Sequence, residues 1–197
     1  MIHPRPRLFN RKASDPKSKP DEILEALSLR PGWNVADVGA GGGYFSIRFA
    51  NAVGKKGKVY AVDTNAGFLK FIEKIAGKKG LRNLETVLAE EDKLHLPKKS
   101  LHLIFLRNVY HHLPDRTGYF RKLAVLLKSD GRVAIVEYKS PGILCYQRVG
   151  KFRIKRGHYV PQEIVVGEMK KAGYRLEAAH DFLPKQSFTI YSLKRRR

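Results

Sequence analysis

The sequence has a single cysteine, Cys145, among its 197 residues. One cysteine excludes an intramolecular disulfide and any zinc site built from several thiolates. The chain also lacks the run of about 20 apolar residues that a membrane-spanning helix requires, and its first residues lack the apolar stretch of a secretion signal. We therefore expect a cytoplasmic protein without a transmembrane segment.

Acidic residues are scarce: 18 Asp and Glu stand against 39 Lys and Arg, for a formal net charge of +21. This charge favours an anionic partner, such as nucleic acid, an acidic membrane surface, or a phosphorylated or carboxylated substrate. The cations concentrate in segments 1–20, 139–160 and 194–197. In the segment 139–160 they are interleaved with aromatic residues, a composition that suits base stacking and phosphate pairing, but equally a lid whose aromatics point inward.

Apolar β-rich runs alternate with amphipathic helical patterns along most of the chain. The predicted strands are 34–38, 58–62, 84–89, 101–106 and 132–138, and the predicted helices lie near 21–29, 44–53, 65–77, 114–127 and 161–172. Because each strand is followed by a crossover, the sheet should be largely parallel. Two final runs, 174–182 and 187–193, are joined by a short link that predicts an antiparallel pair. We expect an α/β fold with helices on both faces of the sheet, organised as a basic arm over 1–20 and a single domain over 21–197.

A glycine-rich segment, Gly39–Gly43, separates the first strand from the helix that follows, so a ligand can approach the main chain closely. A dinucleotide fingerprint would place another glycine at position 44, where Tyr44 stands. Asp37 would repel a pyrophosphate but suits a cationic ligand. S-adenosylmethionine carries an ammonium and a sulfonium group and therefore fits better than NAD. Asp63 ends the next strand, where such folds place a carboxylate that accepts both ribose hydroxyls.

At these residues the chain resembles the class I S-adenosylmethionine-dependent methyltransferases, and more narrowly the small ubiquinone-biosynthesis-type branch, over roughly residues 19–194. Asp37–Gly43 is similar to the family's first motif and Val62-Asp63 to the acidic end of its second strand. Segments 90–97, 104–113 and 128–137 are similar to its acidic adenine-binding stretch, its fourth strand with the following helix, and the turn into its fifth strand.

The resemblance implies a Rossmann-like, seven-stranded, mostly parallel sheet whose last strand is antiparallel. It also implies S-adenosylmethionine as methyl donor, S-adenosylhomocysteine as product, and no metal. The implied cofactor contacts are Asp37, Gly39, Ala40, Gly41, Gly43, Asp63, Thr64, Glu90, Glu91, Asp92 and Arg107. Which of the three acids at 90–92 contacts adenine stays open. One departure concerns cofactor affinity: relatives usually begin the fourth strand with Asp, where this chain has His102.

Methyl transfer from a sulfonium depends mainly on positioning, and a base is needed only if the acceptor must lose a proton. The resemblance places the acceptor over the ends of the fourth and fifth strands. The candidate catalytic residues are His111, Glu137, Tyr110 and His158. His111 could act as a base or serve only packing, and Glu137 could contact the acceptor or pair with a lysine or arginine. Tyr110 could line the acceptor pocket or its wall, and His158 could belong to a lid.

Three functions follow from these observations. The first is a methyltransferase for a small or lipid-like acceptor. The second is an RNA methyltransferase, which the charge favours; the segment after the fourth strand lacks the Asn/Asp-Pro-Pro-aromatic motif for exocyclic amines, and Cys145 is not placed for cytosine-C5 chemistry. The third is a binding protein that keeps the fold without transfer, with His102 as its only support. The oligomeric state stays open.

Overall fold

The structure, a computed structural model, describes residues 5–90, 94–139, 146–149, 152–155 and 159–194, with the backbone alone at 146–149 and 152–155. The chain divides into two compact units. The first comprises residues 1–105 and 125–131, and the second comprises residues 106–124 and 132–197. The single domain expected over 21–197 stays a prediction.

The described helices are α1 Arg5–Ser14, α2 Pro20–Leu27, α3 Tyr44–Val53, α4 Ala66–Lys78, α5 Arg116–Leu123 and α6 Gln162–Lys171. The described strands are β1 Asn34–Val38, β2 Lys58–Asp63, β3 Leu84–Leu88, β4 Leu101–Arg107, β5 Leu127–Tyr138, β6 Tyr146–Val149, β7 Phe152–Lys155, β8 Tyr174–His180 and β9 Gln186–Leu193. Short 3-10 turns occupy Pro16–Ser18, Tyr110–His112 and Ala124–Leu126. None of the described helices is both long and apolar enough to cross a membrane.

The main sheet has seven strands in the order β3-β2-β1-β4-β5-β9-β8. Strand β2 pairs in parallel with both β1 and β3, whereas β9 runs antiparallel to β5 and β8. This confirms the predicted Rossmann-like, mostly parallel sheet with a reversed last strand. The strands β6 and β7 form a separate antiparallel pair within the predicted insert, with Tyr146 opposite Lys155 and Val149 opposite Phe152.

The central strands are buried because parallel strands are covered by the crossover helices that connect them. In β1, Val35 and Ala36 are fully buried, and Val59, Ala61 and Val62 of β2 are as well. This rigid centre holds the carboxyl ends of β1 and β2, from which the glycine-rich loop and Asp63 emerge.

The amino-terminal arm contains a helix that the sequence analysis did not predict. Helix α1 buries Pro6 and Ala13, while most of its basic side chains are exposed. Pro6 lies in the first turn, where a fixed φ favours a helix and the missing N–H costs nothing. Helix α1 therefore packs against the rest of the first unit through one narrow face.

Strand β5 begins at Leu127, five residues before its predicted start at Arg132. The polar residues Ser129 and Asp130 are exposed within it, so they cost little at these positions. At Gly131, a Cβ would lie 2.7 Å from the carbonyl oxygen of Leu101. The glycine therefore permits a close backbone approach to β4, where the sequence predicts a turn.

Candidate active site

The loop 39–43 joins β1 to α3, and four of its amide N–H groups donate inside the protein. Two donate to the Val62 carbonyl at 2.8 and 3.0 Å, one to the Ala40 carbonyl at 2.8 Å, and one to the Asp63 carboxylate at 2.9 Å. A phosphate-binding loop instead points such N–H groups toward the ligand. The arrangement therefore fits a ligand other than a diphosphate. This agrees with the expectation that Asp37 repels a pyrophosphate.

Gly43 closes this loop and precedes the first residue of α3. Its φ of 77° lies in the left-handed region, and a Cβ there would lie 2.7 Å from Cγ1 of Ile72 in α4. Both the conformation and the contact with Ile72 exclude a larger residue. The loop is consequently held in one shape against α4.

Asp63 ends β2 with its carboxylate oriented by two backbone amides. Oδ2 accepts from Gly41 N–H and Oδ1 from Asn65 N–H, each at 2.9 Å. A carboxylate offers about four acceptor positions, so two stay available for the hydroxyls of a ribose. The neighbouring Thr64, also a predicted cofactor contact, is exposed.

Asp37 is only 4% exposed and lies in β1 just before the glycine-rich loop. Its Oδ2 accepts a hydrogen bond from the hydroxyl of Ser46 in α3 at 2.5 Å. A carboxylate in this position places negative charge beside the loop, and Coulomb attraction is stronger there than in bulk water. Its environment thus suits a cationic group of a bound ligand.

The acidic stretch after β3 begins beside Asp63, because the Ala89 amide donates to the Asp63 carbonyl at 3.0 Å. The Glu90 side chain is 73% exposed, and its Oε2 lies 3.6 Å from Nε2 of His95. Glu91 and Asp92 lie outside the described residues. The assignment of the adenine contact to one of these three acids therefore stays a prediction.

In the second unit, Arg107 ends β4 and Asn108 follows with a φ of 57°. Three hydrogen bonds hold Asn108 in this left-handed conformation. Its amide donates to the Val136 carbonyl at 2.8 Å, its Oδ1 accepts from Gln186 at 2.5 Å, and its Nδ2 donates to the Tyr138 hydroxyl at 3.3 Å. This turn fixes the chain leading into the 3-10 turn Tyr110–His112. The predicted cofactor contact of Arg107 stays a prediction.

His111 and Glu137, proposed separately from the sequence, form a buried pair. The Nδ1 atom of His111 lies 2.9 and 3.0 Å from the two carboxylate oxygens, and its backbone N–H donates to Oε2 at 3.2 Å. The side chains are 4% and 0% exposed, and Oε1 also accepts from the Tyr138 amide at 2.7 Å. Since a carboxylate only accepts, the proton of His111 is held on Nδ1.

Tyr110 is fully buried, with its hydroxyl donating to Oε2 of Glu168 at 2.7 Å. Arg116 donates two hydrogen bonds of 2.7 Å to the same carboxylate, and its guanidinium lies 5.4 Å from the centre of the Tyr110 ring. Burial, reinforced by Glu168, raises the pKa of Tyr110 far above its ordinary value. Arg116 holds the pKa of Glu168 below its usual range. This network fixes the 3-10 turn and α5 to α6.

His102 is the second residue of β4 and lies beside the start of β1. Its Nδ1 accepts from the Asn34 amide at 2.9 Å, and its ring stacks on Trp33 at 5.4 Å between centroids. Burial, followed by repulsion from Lys128, lowers the pKa of His102. Asn34 is the first of the five residues of β1, so it lies about 15 Å from the glycine-rich loop at the other end of the strand. The departure at position 102 therefore concerns strand pairing at the end remote from the loop.

Two residues that the sequence singles out cannot be placed. His158, proposed as a lid residue, and the single cysteine, Cys145, both lie outside the described residues. Among the described residues, no group of three or more His, Cys, Asp or Glu side chains is arranged to hold a metal ion. Glu168 and Asn10 have no local sequence signal, because their contacts join segments far apart in the chain.

Comparison with known proteins identifies relatives of this chain. The profile of the methyltransferase domain family matches residues 29–171. The ubiquinone/menaquinone biosynthesis C-methyltransferase UbiE of Shewanella sediminis is 29% identical over 119 residues, which are 60% of this chain and 47% of that protein. The UbiE protein of Ectopseudomonas mendocina is 31% identical over 124 residues. The chain spans about half the length of the curated relatives it matches.

Solved structures share the fold. An S-adenosylmethionine-dependent methyltransferase from Aquifex aeolicus has a TM-score of 0.79 at 24% identity, covering 96% of this chain and 98% of that one. One from Mesorhizobium loti has a TM-score of 0.68 at 16% identity, covering 87% and 96%. At these identities the similarity establishes the fold alone, so the activity rests on the family match and the site.

Proposed function

Because this chain belongs to the methyltransferase domain family, within the class I S-adenosylmethionine-dependent enzymes, we propose that it methylates a small, quinone-like acceptor that must lose a proton to react. The observation that carries the proposal is the buried pair of His111 and Glu137. An acceptor that attacks through a neutral lone pair needs only positioning, whereas a phenol or an activated ring carbon needs a base.

The residues of the first unit fit the cofactor. Bound S-adenosylmethionine supplies an electrophilic methyl group on a positively charged sulfur. In our assignment Asp63 accepts the ribose hydroxyls, and the charge of Asp37 favours the cationic groups. One of the acids at 90–92 accepts from the adenine amine. The loop 39–43 contributes a surface without side chains and uses four of its amides internally.

His111 is the proposed base. Glu137 holds a proton on Nδ1, so the lone pair of the neutral ring stays on Nε2, as an orienting carboxylate does for other catalytic histidines. When Nε2 takes the proton of the acceptor, the carboxylate stabilises the resulting imidazolium. General-base catalysis of this kind contributes about 10²- to 10⁴-fold to a rate.

Tyr110 has a positioning role in this proposal. Its hydroxyl proton is committed to Glu168 at 2.7 Å and its raised pKa disfavours release. The side chain therefore anchors the turn that carries His111. Asn108, held by Gln186 and Tyr138, fixes the chain two residues before Tyr110.

The names of the relatives and the buried pair of His111 and Glu137 both support this acceptor class. The UbiE proteins are named as C-methyltransferases of ubiquinone and menaquinone biosynthesis. Methylation of a hydroquinone-type ring carbon becomes easier once a ring hydroxyl is deprotonated, because the negative charge spreads onto that carbon. A buried histidine base suits such an acceptor better than one that is already nucleophilic at neutral pH.

The test compares the wild type with His111→Ala and Glu137→Gln. S-adenosylhomocysteine release is measured with hydroquinones and phenols as acceptors. We expect kcat to fall at least tenfold in both variants while the Kd for S-adenosylhomocysteine, measured by calorimetry, changes less than twofold. Glutamine keeps the volume and one acceptor oxygen of Glu137 but removes its charge, so it separates electrostatics from packing.

Two results would contradict the proposal. Unchanged kcat in a folded His111→Ala variant would remove the base from the reaction. Transfer of labelled methyl groups into an RNA fraction of cell extract, with none into small molecules, would replace the acceptor class.

A further inference from the structure

Helix α1 lies directly against the glycine-rich loop. Nδ2 of Asn10 donates to the Gly42 carbonyl at 2.8 Å. Phe9 packs edge-on against Phe68 of α4, with ring centroids 5.6 Å apart. A Cβ on Gly41 would lie 3.3 Å from Cδ2 of the same Phe9 ring. The helix thus covers the part of the loop nearest to Asp63, which accepts from the Gly41 amide.

Gly42 is required by this contact and not by the turn. It is not among the residues with positive φ, so its conformation is open to other residues. A Cβ at this position, however, would overlap the carbonyl oxygen of Pro6 and the side-chain amide of Asn10. The loop therefore carries a glycine at the one position where α1 comes closest.

Only one of the two polar atoms in the Asn10 side-chain amide forms a hydrogen bond among the described residues. Its Nδ2 is bonded to Gly42, but its Oδ1 is buried and has no hydrogen-bond partner among the residues that the structure describes. Rotating the amide by 180° would set two oxygens against each other at Gly42, so the orientation is determined by the carbonyl. Buried acceptors are almost always satisfied, and an unpaired one in a native structure calls for a donor.

We propose that α1 completes the cofactor site, with Oδ1 of Asn10 accepting a hydrogen bond from the ammonium group of bound S-adenosylmethionine. This inference rests on the proposed function for the identity of the cofactor. The other donors of the cofactor have partners in that proposal, since the ribose hydroxyls belong to Asp63 and the adenine amine to the acids at 90–92. Helix α1 precedes residues 29–171, which the family profile matches, so the profile match does not cover it.

The first test measures S-adenosylhomocysteine binding to the full chain by calorimetry. S-adenosylhomocysteine keeps the ammonium group, whereas methylthioadenosine keeps only the nucleoside and thioether. We expect Asn10→Ala to weaken S-adenosylhomocysteine binding about tenfold, as for loss of one charge-assisted hydrogen bond, and to leave methylthioadenosine binding unchanged. Arg11→Ala, an exposed change on the same helix, is the matched control and should bind both ligands as the wild type does.

The second test asks whether α1 and the cofactor are bound together. Trypsin cleavage after Arg7, Arg11 and Lys12 of α1, followed by mass spectrometry, should slow at least severalfold when S-adenosylhomocysteine is present. Gly42→Ala, which displaces α1 without changing Asn10, should raise cleavage at these sites and weaken S-adenosylhomocysteine binding as Asn10→Ala does.

The outcomes separate this inference from the proposed function. A wild-type protein that fails to bind S-adenosylhomocysteine overturns both. Wild-type binding with unchanged affinity in Asn10→Ala overturns only the role of α1. Faster cleavage of α1 in the presence of ligand also overturns it, because the helix would then occupy the space that the cofactor needs.

Discussion

Replacing Asp63 by asparagine tests the ribose assignment. In the structure Oδ1 accepts from the Asn65 amide and Oδ2 from the Gly41 amide, each at 2.9 Å. Asparagine keeps one acceptor oxygen and places an NH₂ group where the other stood. The variant therefore loses the negative charge, one of the two backbone bonds, and the acceptor positions that the ribose hydroxyls would use.

The two losses have separate magnitudes. Hydrogen bonds to a charged group contribute about 1.5–3 kcal/mol, so we expect cofactor affinity to fall by roughly 10- to 150-fold. The amide left without an acceptor costs about 1–3 kcal/mol of stability. For a chain of this length each kcal/mol lowers Tm by roughly 2–4 °C. Calorimetry with S-adenosylhomocysteine measures the first loss, and thermal unfolding without ligand measures the second.

Asn65→Ala is the matched control. Oδ1 of Asn65 accepts from the amides of Gly67 and Phe68 at 2.9 and 3.2 Å and caps α4. Alanine removes this cap at a cost of about 1 kcal/mol but keeps the backbone N–H that binds Asp63. It should lower Tm and leave the Kd unchanged. Equal affinity losses in the two variants would show that Asp63 acts only through the fold, and an unchanged Kd in Asp63→Asn would refute the ribose contact.

Two further predictions concern stability. Glu168→Gln should lower the unfolding free energy by about 1–3 kcal/mol, because Arg116 and Tyr110 lose a charged acceptor. The pKa of Glu168 is depressed in the folded protein, so its stabilisation is present above its unfolded pKa near 4.5 and is lost on further acidification. The unfolding free energy measured with urea should therefore fall less between pH 7 and pH 3.5 in the variant than in the wild type. The pKa of His102 is also lowered, which means that the unfolded chain binds the proton more tightly and stability falls as the pH drops below about 6.5. His102→Asn keeps an acceptor for Asn34 without titrating there, so its unfolding free energy should vary less between pH 7 and pH 5, and an equal slope in both proteins would exclude His102 as the source.

The elements that the sequence predicted best are those whose patterns are local. Strand β1 and helix α3 match the predicted bounds 34–38 and 44–53, since an apolar run, a glycine-rich loop and an amphipathic period follow each other directly. Helix α1 has a weaker signal because its partners are Gly42 and Phe68, far along the chain. Its face becomes recognisable only when those partners are known.

The contacts of the candidate site residues were likewise not predictable from local sequence patterns. The residue types at Asp37, His111 and Glu137 were sufficient to nominate them, but their partners were not predictable. The structure pairs Glu137 with His111, 26 residues away, and with no lysine or arginine among the described side chains. Asp37 likewise meets Ser46. Which side chains meet across two loops depends on strand order and register, neither of which a one-dimensional pattern contains.

The glycine-rich loop illustrates how the direction of backbone dipoles decides what a glycine motif binds. Glycines permit close approach to any ligand, so their number alone does not separate a diphosphate from a sulfonium nucleoside. In the loop 39–43, four amide donors are consumed by the Val62 and Ala40 carbonyls and by Asp63. What the loop then offers a ligand is the negative charge of Asp37 and Asp63, which attracts a cation and repels phosphate. We therefore propose that two carboxylates and the inward-turned amides make this site favour a sulfonium nucleoside over a diphosphate.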